Sequence, residues 1–271
     1  KRGTDCRPIQ NTVIFGGVLI SNGNWNENGI NLTHNFLGDF TVENGCGYLN
    51  SAHNTTVFTG VSDQNIIFNI DSTSGYFYNL VVDKSAVKTR RKNHEGEQAS
   101  LNYLSDKKDR YQIVNLLTNC AALADGNTTI EEGTLKLNGN YYNSTGNIAV
   151  NDGGKLELDA NASLRINNNK TIDINNGGEL EISGTPIDEA VITHTSGYYN
   201  LEIESGGTIS ARNALFEYMS ANGVYVKDGA VVDTSNAFSN CRFRNGAAGG
   251  TLLTIDNAQT LNISSVEFPT N

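Results

Sequence analysis

Ile148-Ala-Val-Asn-Asp-Gly-Gly-Lys-Leu-Glu-Leu158, Ile172-Asp-Ile-Asn-Asn-Gly-Gly-Glu-Leu-Glu-Ile182 and Leu201-Glu-Ile-Glu-Ser-Gly-Gly-Thr-Ile209 are one unit written three times. Each has an alternating apolar pair, a polar corner that holds Gly, and a second stretch of apolar alternation. Such alternation marks a short strand with one buried face. Gly, Asn and Asp supply the positive-φ positions that let a chain turn sharply. A fourth version, Val224-Tyr-Val-Lys-Asp-Gly-Ala-Val231, keeps the pattern with a single Gly.

Outward from these units the corner recurs at Glu132-Gly133, Asp152-Gly153, Asn176-Gly177, Ser205-Gly206, Asp228-Gly229 and Asn257-Ala258. The intervals are unequal: shortest from Gly133 to Gly153, longest from Gly177 to Gly206 and from Gly229 to Ala258. Between Gly154 and Gly178 lie three alternating pairs: Leu156/Leu158, Leu164/Ile166 and Ile172/Ile174. Three strands and three corners between one Gly and its repeat predict one coil of a parallel β-helix. Stacked coils pair every strand with those above and below and bury the inward side chains. A second column agrees. Ala214-x-Phe216, Cys241-x-Phe243 and Val266-x-Phe268 recur with a spacing inside the range of the corners, which places Cys241 in the core. The first half is looser, with strands expected at Leu19-Ile20, Phe40-x-Val42, Ile66-x-Phe68-x-Ile70 and Leu80–Val82. There Phe58–Gln64 and Phe77–Asp83 align at a spacing of about 20 residues. Propeller blades need about 40–45 residues, so that architecture fits less well. The reading is all-β: a right-handed parallel β-helix over residues 1–271 as one domain, with a charged loop insertion at 84–112. At about 24 residues each, roughly nine to eleven coils are expected.

Composition agrees with this reading. The chain of 271 residues has 28 Gly and 38 Asn against 3 Pro, and a net charge of −10. No G-X-Y period exists, so the Gly excess is not collagen-like. The acidic balance argues against nucleic acid as a partner. No run approaches the roughly 18 apolar residues of a membrane helix, so no membrane insertion is expected. Cys6, Cys46, Cys120 and Cys241 show no CxxC spacing, which argues against a zinc site and leaves three disulfide pairings open. Seven Asn-x-Ser/Thr sequons, at Asn31, Asn54, Asn127, Asn143, Asn161, Asn169 and Asn262, are what the Asn abundance produces by chance. Asn at the same corner of successive coils can instead stack in hydrogen-bonded ladders, and Asn167–Asn169 and Asn175-Asn176 are placed for that.

Thr59-Gly-Val-Ser-Asp-Gln64, Phe77-Tyr-Asn-Leu-Val-Val82, the Gly-Thr-Leu-Lys-Leu-Asn-Gly block at Gly133–Gly139, Asn213-Ala-Leu-Phe-Glu-Tyr218 and Asn240-Cys-Arg-Phe-Arg-Asn245 resemble repeats of the large secreted β-helical surface proteins of Gram-negative bacteria. The resemblance covers most of the chain outside residues 88–112 and speaks to architecture more than to activity. It implies a secreted or cell-surface protein of adhesin-like type. Members of that group are usually longer, so it also implies an excerpt or processed product of a larger chain.

Chemistry is sparse in the sequence. A glycoside hydrolase needs two carboxylates at a set separation, and Glu157, Asp159, Asp173, Glu179 and Glu181 are the candidates. The middle residue of a Leu-x-Leu strand points outward, so Glu157, Asp173, Glu181 and Glu202 are expected to line outer faces as solvated rows. A lyase would want Ca²⁺-binding acids and a basic proton abstractor, and Lys155, Arg165 and Lys170 sit in no recognisable motif. His34, His53, His94 and His194 lack metal spacing, and His194 reads as a loop residue. No cofactor or metal is implied. Lys88, Arg90, Arg91, Lys92, Lys107, Lys108 and Arg110 form the main basic spot of the chain. They read as a solvated insertion, or as a contact for an acidic partner, a glycan or the acidic face of a second copy. Such a contact would be head-to-tail and able to propagate into filaments. The paired Tyr141, Tyr142, Tyr198 and Tyr199 are candidates for stacking on surface glycans, against a plainer role covering corners. A β-helix exposes unpaired edges at its ends, and no cap follows Val266-x-Phe268, so the expectation is self-stacking or a larger parent chain. The function read from the sequence is an extracellular structural stalk, adhesin or filament subunit, not an enzyme. The alternatives are a carbohydrate-active β-helix enzyme or a glycan-binding module.

Overall fold

The computed structural model describes residues 10, 12–14, 16–21, 23–26, 31–44, 46–49, 54–69, 75–85, 112–118, 120–122 and 126–269. The chain is nearly all β, and its parallel strands stack as a solenoid with three faces. Among the described residues the first face is a ladder of ten strands, from Thr12–Ile14 to Leu253–Ile255. The second face runs from Val18–Ile20 to Val231–Val232. The third face holds Cys120–Ala122, Tyr141–Ser144, Ser163–Ile166, Ala190–His194, Ala214–Glu217 and Arg242–Arg244. A short separate ladder of Asn24–Asn26, Gly47–Leu49 and Gly75–Tyr76 lies toward the N-terminal turns. Strand Thr128–Lys136 bends through a corner and serves both the first and second faces. No helix among the described residues is long and apolar enough to cross a membrane.

The spacing of the corners is the spacing of the rungs. Thr128 pairs with Ile148, Ile148 with Ile172, Ile172 with Leu201, Leu201 with Val224 and Val224 with Leu253. These steps repeat the unequal intervals of the Gly corners one for one, short from Thr128 to Ile148 and long from Ile172 to Leu201. The corner glycines form their own ladder. Gly133 N–H donates to Gly153 O at 3.0 Å, Gly153 to Gly177 at 3.2 Å, and Gly177 to Gly206 and Gly206 to Gly229 at 2.9 Å. All five have φ between 76° and 89°, which glycine adopts without the cost a Cβ imposes.

Two other corners are tied by asparagine. Asn79, Asn127 and Asn147 each accept, through Oδ1, the N–H of Asn127, Asn147 and Thr171 one turn on, at 3.0–3.1 Å. Asn65 accepts from Asn115 and Asn115 from Asn138 along the second face. Asn175 Nδ2 donates to Asn151 Oδ1 at 2.7 Å, while Asn167 and Asn168 accept from Ser196 and Tyr198. Sequon Asn54 is fully buried and accepts the N–H of Leu32, a structural duty.

Inside, Leu, Ile, Val and Phe stack rung on rung, and Cys46 and Cys241 are buried free thiols. Burial pushes the Cys241 thiol up to about 12. Three details differ from the sequence reading. Asn79–Asp83 pairs with Thr55–Thr59, so the rung partner of Phe58 is Val82 and the true step is longer than the one from Phe58 to Phe77. His194 ends a strand instead of lying in a loop. Lys84, counted with the charged insertion, is 4% exposed.

Lys84 and Gln112 flank the corner that Gly133 occupies one turn later: Lys84 N–H donates to Glu132 O, and Gln112 O accepts the Thr134 N–H, each at 2.9 Å. Lys84 closes that corner from inside. Its Nζ donates to Ser62 O at 2.7 Å and to Gln64 Oε1, and Gln64 in turn donates to Phe36 O and Gly38 O. Burial lowers the Lys84 pKa from 10.5 to about 8, against the pull of Asp63. The folded protein therefore gives up this proton before the unfolded chain does. Stability should rise as pH goes from about 8 to about 10.5, since the unfolded state holds the extra proton there. Denaturant unfolding at pH 8 and pH 10 should show a gain on the order of 2 kcal/mol that Lys84→Met lacks. Equal slopes in both proteins would remove Lys84 as the cause.

Candidate binding face

Outward-facing residues sort by face. On the second face the expected row of acids is present, half-buried and neutralised in place. Glu157 and Glu181 occupy adjacent rungs. Lys155 reaches Glu157 at 3.9 Å, Glu179 at 3.5 Å and also Glu181, and Lys136 holds Glu157 at 2.5 Å. Burial draws the Lys155 pKa down, but its three carboxylate neighbours outweigh that and raise it. On the first face Asp173, Glu202 and Glu204 bring their carboxylate oxygens within 4.8 Å of one another. Lys227 fills their midst, 2.5 Å from Glu202 and bonded to Glu204. Burial, then Glu202 and Glu204, raise the Asp173 pKa. Lys155→Met should destabilise the protein by about 1–2 kcal/mol at low salt and neutral pH. The loss should shrink at high salt; a loss independent of salt would point to packing instead.

The third face differs because it carries both a wall and an aromatic corner. After Glu179–Ser183 the chain bulges through 184–189 before entering Ala190–His194. Thr185 N–H donates to Asp188 O at 2.9 Å and Asp188 N–H to Thr185 Oγ1 at 3.0 Å, which closes the bulge on itself. Asn213 Nδ2 ties it to the next turn through Gly184 O at 3.1 Å. Beneath it, Asn213, Asn240 and Ser265 stack on successive turns, all with φ between 45° and 55°. The bulge and this column enclose a groove of about 530 Å³ whose floor includes Glu189, Arg242 and Glu267. Ile187 stands on its lip, 92% exposed.

From the groove the strands carry paired charges. Arg242 grips Glu189 with two nitrogens, Nε to Oε1 at 2.9 Å and Nη2 to Oε2. The Glu189 hydrogen bond raises the Arg242 pKa despite its burial. Arg244 Nε donates to Glu217 Oε1 at 2.7 Å, and Thr193 Oγ1 donates to the other oxygen of Glu217 at 3.2 Å. At the far corner the His194 ring stacks on Tyr218, centroids 3.5 Å apart and planes 10° off parallel. His194 Nδ1 lies 2.6 Å from Gly197 O, and Tyr198 beside it is 41% exposed. Tyr218 has φ 61°, an unusual conformation for a bulky residue.

Tyr141 and Tyr142 divide by strand alternation, and Tyr198 lies just before the strand that Tyr199 opens. Tyr142 and Tyr199 point inward, at 1% and 0% exposure, so neither ring can present a face to a glycan. Their hydroxyls are satisfied inside, Tyr142 with Thr128 Oγ1 at 2.6 Å and Tyr199 with Ile192 O at 3.2 Å. Tyr141 and Tyr198 point outward, and the Arg165 guanidinium lies 4.8 Å from the Tyr141 ring centre. Lys88, Arg90, Arg91, Lys92, Lys107, Lys108 and Arg110 lie outside the described residues. The groove, the Arg–Glu rows and Tyr218 are not apparent in the motifs. Their one sequence signal is the long step from Gly177 to Gly206, which contains Thr185-Pro-Ile-Asp188 and with it one of the 3 prolines of the chain.

Fold and surface thus define a parallel β-solenoid with a walled groove on one outer face. No family model matches the chain, and no curated protein does. Among solved structures, the "TibC-catalyzed hyper-glycosylated TibA55-350 fragment" aligns over 96% of this chain and 100% of its own, at 10% identity and a TM-score of 0.24. The architecture and site described above rest on the geometry of this chain alone.

Proposed function

We propose that the protein is a non-catalytic, adhesin-like solenoid that works outside the cell as a rigid stalk, and that it stacks head-to-tail on further copies or on more of a parent chain. The observation that carries this reading is the continuity of the first-face ladder through all ten described rungs, reinforced by its Gly and Asn corners. A stalk needs stiffness along one axis, and rung-to-rung hydrogen bonds supply it. Three of the acids that a hydrolase would use support the same reading, because Glu157, Glu179 and Glu181 are held in ion pairs with Lys136 and Lys155. Ten rungs at about 4.8 Å give a rod of about 45 Å. Small-angle scattering and electron microscopy should show rods of that length or end-to-end multiples of it. A compact particle, or steady release of product from a polysaccharide panel, would overturn the reading.

A further inference from the structure

We propose that the third face of the C-terminal turns binds an uncharged oligosaccharide, laid along the strands from the 184–189 bulge to the Tyr198 corner. This deepens the adhesin-like reading by naming what the stalk would hold. Three observations converge on it. First, the face offers both kinds of contact that a sugar needs. A pyranose ring has an apolar C–H face and a rim of hydroxyls. Tyr198 gives an exposed aromatic plane at one end, Ile187 an exposed apolar lip at the other, and the paired Arg and Glu groups lie between. Aromatic rings with a polar edge suit such mixed surfaces. Guanidinium–carboxylate pairs are rigid and keep lone pairs and N–H groups for hydroxyls. Second, charge selects the ligand. Arg165, Arg242 and Arg244 share this outer face with three carboxylates, Glu189, Glu217 and Glu267, so three positive charges meet three negative ones. A sulfated or uronic-acid chain would find no net attraction there. Third, the span fits. The five residues of Ala190–His194 cover about 16 Å, the reach of a short oligosaccharide. The aromatic end is tied to its neighbouring turns, where Tyr198 O accepts the Asn169 N–H at 2.8 Å and Tyr218 O the Tyr199 N–H at 3.2 Å.

Titration of the purified chain with maltohexaose, cellohexaose and xylohexaose, followed by NMR and calorimetry, tests this. At least one should bind, and Tyr198→Ala should weaken it at least tenfold. Glu267→Gln, on an exposed carboxylate of the groove, should also weaken it. Tyr225→Ala, on the first face, should leave it unchanged. Binding by none of the three, equal binding by Tyr198→Ala, or preference for a heparin hexasaccharide would overturn the proposal. Mass spectrometry of the same samples separates the two readings. Shortened sugars would sink the non-catalytic stalk and leave the binding face standing; intact but unbound sugars would do the reverse.

Discussion

Gly178→Ala should lower the stability of the protein by about 3 kcal/mol. The added Cβ would lie 2.3 Å from the Val150 carbonyl oxygen and 2.9 Å from its carbon. Those atoms belong to the backbone of the rung below, where Val150 O also accepts the Asn175 N–H at 2.9 Å. Neither can retreat without opening the ladder. The same collision awaits at Gly154 with Ile130 O and at Gly207 with Ile174 O, at 2.4 and 2.3 Å, so the defect belongs to the corner and not to one site. Gly249→Ala separates sterics from backbone conformation. Its φ is +75°, but nothing lies within 4 Å of a Cβ there. It should cost only about 1–2 kcal/mol. Urea unfolding of the two variants beside the parent protein measures both. No loss in Gly178→Ala, whose φ is not positive, would mean that the close approach of the turns contributes nothing.

Phe243→Ala should cost about 3–5 kcal/mol. Phe243 is fully buried in the middle of a stack. Phe216 lies on one side at 4.9 Å with planes 8° apart, and Phe268 on the other at 5.3 Å with planes 17° apart, while Phe238 meets it edge-on at 5.9 Å. Truncation removes the shared member and leaves a cavity between two rings that the rung spacing holds apart. Phe268, 52% exposed, should cost about 1 kcal/mol when truncated. Because solenoid turns mainly contact their neighbours, hydrogen exchange should quicken first around Ala214–Glu217 and Arg242–Arg244. A small, uniform effect across all faces would contradict this view of the core.

Most of the architecture was legible because the solenoid is built from local signals. Each Gly corner sits between alternating apolar residues, and the unequal intervals carry straight into the pairing of the rungs. The Phe216/Phe243 column was visible for the same reason. Three kinds of feature were not. Polar residues fill inward positions at His34, Thr56, Gln64 and Thr128, so alternation there has no apolar signature. Tyr48 and Tyr142 explain two of them, since their buried hydroxyls meet Thr56 and Thr128 at 2.8 and 2.6 Å. Which tyrosine of each pair turned in depended on the register of the third face for Tyr142 and of the first face for Tyr199. The binding face was illegible because it is made of residues on different turns. Glu189 and Arg242 are 53 positions apart, and only stacking brings them together.

The uneven length of the turns has a consequence for how such a chain finds its shape. A solenoid of identical repeats can slip by a whole turn and still satisfy its hydrogen bonds, which traps the chain in a wrong but stable alignment. Here neighbouring steps differ: the one from Ile172 to Leu201 is long, and the next, from Leu201 to Val224, is short. A strand that skipped a turn would arrive with its corner glycine misplaced and a surplus of chain to stow. Irregular spacing therefore labels each rung, and proofreads alignment as the rod grows.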